Sequence, residues 1–362
     1  MMKEARVHSF GMADPADVSA LATALEAGAI DPAAIVCVII KTEGNGLDND
    51  WTRVMAFEAL SRLLAARGVS LATGDMSCIV SGGCEGVTTP HMTVFECRAS
   101  NAPARGASLA IARAVGAPLL PEQIGTLAQV HNVQATVERA LDQAQLTASE
   151  VEYVQVKAPW LLDHHQIDAR SRAAITRAAD AHGSKPWTRA ACALGVALAL
   201  KEVVATQVLE SSINADWSLF TRRAAVTAGN DHLQCEVVVF GMSKRWTGGA
   251  RVAHGCLEDL LDSAAIDDTA RRAGLPPGRG TLPTAVLFKG DPARSGLLRG
   301  ERQVMWHDSD VHPLRHLRAV MSGVIGAAIG STRIFVSAGA EHQGPQGGGT
   351  LAVFAEPSAP RP

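Results

Sequence analysis

One pattern recurs three times along this chain and limits what it can fold into. A β-rich apolar run leading into a lysine occurs at IVCVII before Lys41, at VEYVQV before Lys157 and at TAVLF before Lys289. Each lysine is followed by an arginine near the start of an alanine-rich stretch of helical character: Arg53 and Arg189 in two copies of Trp-Thr-Arg, and Arg318 in LRHLR. Each unit then closes on a short apolar run, a hydroxyl residue and small residues: Ser81-Gly82-Gly83, Thr227-Ala228-Gly229 and Ser337-Ala338-Gly339. A further strand-like run follows each, in TVFEC, CEVVVF and LAVFAE. One lysine after a strand reads as a solvated strand end, and one Ser-Gly-Gly as a turn. Turns and strand ends keep no shared chemical order, so the same three side chains in the same order three times predict one site built from equivalent corners.

Within each unit, strands mixed with amphipathic helices indicate an α/β fold with helices packed on sheets. The Ala/Pro/Gly-rich NAPARGA and the TGGARVAHG stretch are the natural boundaries, giving units 1–105, 106–249 and 250–362 of ordinary domain size. The middle unit is longest, and its excess falls between Lys157 and Arg189, where DHHQIDARSR reads as an inserted polar segment.

A hydrophobic content of 47% with 19% charged residues fits a chain that buries a large core. The net charge of -3 shows no concentrated basic face, so neither nucleic acid nor an anionic membrane is expected as partner. Neither a signal peptide nor a membrane span is legible, and a cytoplasmic protein is expected. The seven cysteines are scattered singly, without CxxC spacing, so neither disulfides nor a zinc knuckle is indicated, and most read as small buried hydrophobes.

Other polar clusters are less specific. HDSDVHPLRH (307–316) fits no standard zinc spacing and reads as a polar loop leading into a helix. Asp163-His164-His165 reads as surface. GPQGGG (344–349) lacks the Walker Lys-[Ser/Thr] ending and suits a tight turn or backbone carbonyls around a hard cation. Glu43 and Glu85 are placed either to orient Lys41 or to face solvent.

With KTEGNG at 41–46, SGGCEG at 81–86, QVKAP at 155–159 and AEHQGPQGGG at 340–349, the chain resembles, end to end, the ring-opening cyclic amide hydrolases, the family of cyanuric acid hydrolase and barbiturase. The resemblance implies three structurally similar repeat units around a pseudo-threefold axis with one central active site. Each unit would contribute a lysine, an arginine and a hydroxyl: Lys41, Arg53 and Ser81; Lys157, Arg189 and Thr227; Lys289, Arg318 and Ser337. Small residues Gly82, Ala228 and Ala338 would complete the substrate-binding corners. The resemblance further implies that the hydroxyl of the second unit is the nucleophile and Lys157 its base, and that the protein is a homotetramer. It also implies a structural divalent metal, Mg or Ca, held by Asp291 and by Ala340, Gln343, Gly344, Pro345 and Gly348. Two departures stand out: position 227 is threonine where the family has serine, and the third unit reads Ser-Ala-Gly in place of Ser-Gly-Gly.

The chemistry suits these residue types. Cyanuric acid presents three equivalent carbonyls and three N–H groups, which a threefold site can meet with the same equipment at each edge. Three lysines and three arginines around one small dry cavity cannot all be charged without large cost, so at least one lysine is expected to have a lowered pKa. A neutral lysine beside a hydroxyl is a competent base for a nucleophile, and no cofactor is needed for such catalysis.

Overall fold

The runs that lead into the lysines form central strands, and the computed structural model, which describes residues 2–71, 74, 76–276, 281–307 and 310–356, shows why. IVCVIIK and AVLFKG are buried almost throughout, as strands covered on both faces must be. In the first unit the chain runs β1 (Met2–Gly11), α1 (Ser19–Glu26), β2 (Ile35–Lys41), α2 (Thr52–Ala65), β3 (Ser77–Ser81) and β4 (His91–Ser100). Strand β4 lies antiparallel between β1 and β2, and β3 is parallel to β2, so the sheet order is β3-β2-β4-β1.

The second unit repeats this with β5 (Ser108–Val115), α3 (Leu127–Ala144), β6 (Val151–Pro159), α4 (Asp163–Ser171), α5 (Ala181–Ala199), β7 (Ala224–Asn230) and β8 (Glu236–Ser243), in the order β7-β6-β8-β5. A short strand β9 (Trp246–Thr247) then crosses to pair in parallel with β1 at the edge of the first sheet. The third unit comprises β10 (Arg251–Leu257), α6 (Ser263–Arg272), β11 (Ala285–Gly290), the small hairpin β12 (Leu297–Leu298) and β13 (Glu301–Arg302), α7 (Pro313–Ile329), β14 (Phe335–Ala338) and β15 (Gly349–Ala355). Its order is β14-β11-β15-β10, the same again. The fold is therefore three similar α/β units, each with one parallel pair whose crossover is helical, as parallel pairing requires. The first strand and helix of every unit were not singled out in the sequence pattern.

The polar insertion of the middle unit is an ordered helix, α4, in which Asp163 and His164 face solvent while the buried His165 Nδ1 accepts from Leu162 N at 3.2 Å. His312 in 307–316 caps α7, accepting from Leu314 N at 3.3 Å, as a loop leading into a helix should; Asp308 and Ser309 of that segment lie outside the described residues. Among the described residues no helix is long and apolar enough to cross a membrane.

The sheets meet at a common core. Phe95, Phe240 and Phe354 come from β4, β8 and β15, and their ring centroids lie 4.9, 5.1 and 5.1 Å apart. All three side chains are fully buried. Tilted and edge-on aromatic pairs at this spacing add about 0.5–1.5 kcal/mol each beyond the area they bury. We predict that Phe95→Ala, Phe240→Ala and Phe354→Ala each destabilise by about 3–5 kcal/mol and by similar amounts; denaturant midpoints check this, and one position losing far less than the others would show that the rings are not equivalent.

Candidate active site

Parallel pairing of β2 with β3, β6 with β7 and β11 with β14 sets each lysine opposite a hydroxyl. The ladder partners are Lys41 and Ser81, Lys157 and Thr227, and Lys289 and Ser337. These rungs stand at the C-terminal ends of the parallel strands, the usual place for ligand sites in such sheets. A cavity of about 260 Å³ opens there, lined among others by Ser81, Gly82, Thr227, Ala228, Ser337, Ala338, Arg53, Arg189, Arg318 and Lys289. The structure thus brings together on one surface residues from all three units. Lys41 is fully buried behind this wall, whereas Lys157 is partly exposed beside Thr227.

Two corners are alike. Lys41 Nζ donates to Gly82 O at 2.8 Å and to Val336 O at 2.6 Å and lies 3.4 Å from Ser81 Oγ. Burial, with the nearby Arg318 charge, pulls its pKa from 10.5 to about 7. Lys289 Nζ donates to Ala338 O at 2.7 Å and Ser337 Oγ at 3.1 Å, and its pKa is lowered by burial and by Arg189.

The third corner differs. Among the described residues Lys157 Nζ has no recorded hydrogen-bond partner, and its pKa is lowered chiefly by burial, with Arg53 adding to the effect. Thr227 Oγ1 is instead approached by Gln155 Nε2 at 3.5 Å. Gln155 is buried two residues before Lys157 and its Oε1 has no partner. The corresponding positions in the other units are Ile39 and Leu287, so this amide was visible in QVKAP as a departure from the repeat.

The arginines sit on α2, α5 and α7. Arg189 is well inside α5 because Asp180 starts that helix earlier, accepting from Gly183 N at 2.7 Å. Two of the three arginines are engaged by carboxylates. Arg189 is paired with Glu341 through Nε at 2.6 Å and Nη2 at 2.7 Å, and Arg318 with Glu85 at 2.7 Å through each of the same two nitrogens. Glu85 therefore bonds Arg318, not Lys41, and Glu43 is exposed. The clue was available: both glutamates stand four residues after a site serine.

The family model described as amidohydrolase ring-opening protein matches residues 6–356. This chain belongs to that ring-opening amidohydrolase family. Its members are hydrolases acting on cyclic amides. A cyanuric acid amidohydrolase of Azorhizobium caulinodans is 43% identical over 98% of this chain and 99% of its own length, and a cyclic amide hydrolase of the same organism is 39% identical over 96% and 98%. The crystal structure of the cyanuric acid hydrolase from A. caulinodans superposes with a TM-score of 0.90 at 40% identity, covering 99% of this chain and all of that one. A second solved cyanuric acid hydrolase, described as an evolutionary innovation by structural concatenation, gives 0.91 at 36% identity over 98% of this chain and all of that one.

In this ring-opening amidohydrolase the loop after Ser337 folds back on Asp291, whose carboxylate oxygens accept from Gly339 N and Ala340 N, both at 2.6 Å. A small cavity of about 20 Å³, large enough for one water or ion, is lined by Asp291, Ala340, Glu341, Gly344 and Pro345 among others. Burial and the neighbouring Glu341 raise the Asp291 pKa. Gln343 turns its side chain away, Oε1 accepting from Val226 N at 2.6 Å. Among the described residues no group of three or more His, Cys, Asp or Glu side chains could hold a metal, so any cation here would depend on carbonyl oxygens.

Lys41 supplies a test by pH. With a folded pKa of about 7 against 10.5, the unfolded chain holds more protons between those values, so stability rises with pH across that window. Below about 7 both states are charged and the burial penalty is complete. We predict that Lys41→Met flattens the rise in unfolding free energy between pH 7 and 10 by up to about 1.4 kcal/mol per pH unit; an unchanged slope in urea titrations would place the lysine's pKa elsewhere.

Proposed function

We propose that the protein opens cyanuric acid to carboxybiuret, which loses carbon dioxide to biuret, with Thr227 as nucleophile and Lys157 as its base. The observation that supports this assignment is the asymmetry of the rungs: the Nζ atoms of Lys41 and Lys289 are tied to main-chain carbonyls, while Lys157 has no such tie among the described residues. A lysine lowered by burial and free of carbonyl partners can take the Thr227 hydroxyl proton. The oxygen then attacks a ring carbonyl, and backbone N–H groups beside the small residues hold the tetrahedral oxyanion. Collapse breaks the ring C–N bond as Lys157 returns its proton to nitrogen, and water hydrolyses the acyl-enzyme. Lys41, Arg53, Ser81, Gly82, Arg189, Ala228, Lys289, Arg318, Ser337 and Ala338 would hold the ring. Barbiturate or another cyclic imide is the alternative substrate. A binding protein of impaired chemistry is the rival reading, favoured by the Thr227 methyl, which restricts χ1 and takes space where the ring approaches.

Substitution at each rung decides among these. We predict that Thr227→Ala and Lys157→Met lower kcat by a factor on the order of 10³ or more, that Thr227→Ser keeps or raises it, and that Ser81→Ala, Ser337→Ala, Lys41→Met and Lys289→Met act mainly on KM. Full turnover by Thr227→Ala would remove Thr227 from the mechanism, and ligand-induced melting shifts without turnover by the unmodified protein would select the binding reading.

We also propose that Asp291, with the carbonyls of Ala340, Gln343, Gly344, Pro345 and Gly348, holds a structural Mg or Ca ion, a hard cation that takes oxygen donors. The Asp291 carboxylate and the main chain of 340–345 around an ion-sized cavity support it. When bound, the cation would stabilise the loop rather than react. Chelation should lower the melting temperature more than it lowers activity at saturating substrate, and a metal-free protein of equal stability would end the idea. A cytoplasmic homotetramer completes the reading; seven unpaired cysteines and the exposed apolar Trp51, just before α2, and Val54 and Met55 on it are consistent with it.

A further inference from the structure

Every corner of the site draws on two units. Lys41, Ser81 and Glu85 of the first unit meet Arg318 of the third, and Lys289, Ser337 and Glu341 of the third meet Arg189 of the second. In both, a buried guanidinium is gripped by a carboxylate four residues beyond the hydroxyl. The same count from Thr227 reaches Asp231, and the arginine left for that corner is Arg53 of the first unit. Its charge is close enough to depress the Lys157 pKa.

Here the grip is not made. Asp231, one methylene shorter than glutamate, accepts from Trp160 Nε1 at 2.8 Å. Arg53 Nη2 donates to Leu47 O at 2.5 Å, and Arg53 has no ion pair among the described residues. The nearest acid in sequence, Asp50, is engaged elsewhere, accepting from Gly46 N at 2.7 Å and from Thr52 N at 3.0 Å and Thr52 Oγ1 at 2.5 Å. A bidentate pair fixes a guanidinium and cancels its charge. Two arginines of the site are therefore fixed in ion pairs with a carboxylate, and one is not.

We infer that this open clamp marks the reactive corner: Arg53 stabilises the negative charge that develops as the ring opens, while Glu85 and Glu341 are positioning residues that hold Arg318 and Arg189 as ring anchors. The inference rests on the hydrolase reading above and sharpens it, because it separates three arginines that the repeat makes look equal. A guanidinium not held in an ion pair gains most when negative charge appears on the carbonyl under attack, which is a transition-state effect. A compensated guanidinium still offers hydrogen bonds to the resting ring, which is a ground-state effect.

Steady-state kinetics on cyanuric acid with the full-length protein tests it. Asp231→Glu, which gives this position the acid length found at the other two corners, should lower kcat about tenfold with KM nearly unchanged, and Arg53→Met should lower kcat on the order of 100-fold. Glu85→Gln and Glu341→Gln should raise KM more than they lower kcat. Should Arg53→Met act on KM alone, or either glutamine variant lose as much kcat as Arg53→Met, the inference is overturned. If the unmodified protein turns over no cyclic imide, it is the hydrolase reading that falls instead, so the two failures are told apart.

Discussion

Three phenylalanine rings, one from the last strand of each unit, hold the sheets at a common axis, and the site depends on that contact. Each ring stands on a strand that also pairs with the lysine-bearing strand beside it. Fixing Phe95, Phe240 and Phe354 against one another at about 5 Å therefore fixes where the three ladders end. Because lysine and hydroxyl are partners across parallel strands, the rungs converge without any loop having to be placed. Side chains carried by strands are held more exactly than those on loops, which suits a small rigid ligand.

The rungs were legible in the sequence because their partners are local: Lys41 and Ser81 belong to one unit and keep their order in all three. The hydroxyl positions, the helical arginines and the mixed α/β character were readable for the same reason. What escaped notice is what crosses between units. Glu85 looked like a partner for Lys41 since they share a unit, yet Arg318 of another unit takes it. The phenylalanines sat in plain view in TVFEC, CEVVVF and LAVFAE, but their meaning lies in a contact that no single repeat displays. The first strand and helix of each unit were missed because they carry no site residue, and periodicity alone gave them no mark.

Repetition also shows where the copies have drifted apart. Sheet order is the same in all three, so backbone geometry has been kept, while position 155 holds glutamine against isoleucine and leucine, and position 231 aspartate against two glutamates. Both differences fall in the unit that holds Thr227. A threefold scaffold offers three equal places, and differences confined to one of them are what can make a single place prevail.

The handing of each arginine to a neighbouring unit has a consequence for how such a protein can be divided. Deleting one unit would remove its own lysine and hydroxyl and also the arginine of another corner, so two of three corners would fail at once. The units are thus links in a closed loop of mutual dependence, and none is a module that could be lent to another protein with its share of the chemistry intact. Cutting the chain between units while keeping all three pieces would, by contrast, leave every corner's membership unchanged, because what binds the corners is adjacency around the axis and not order along the chain.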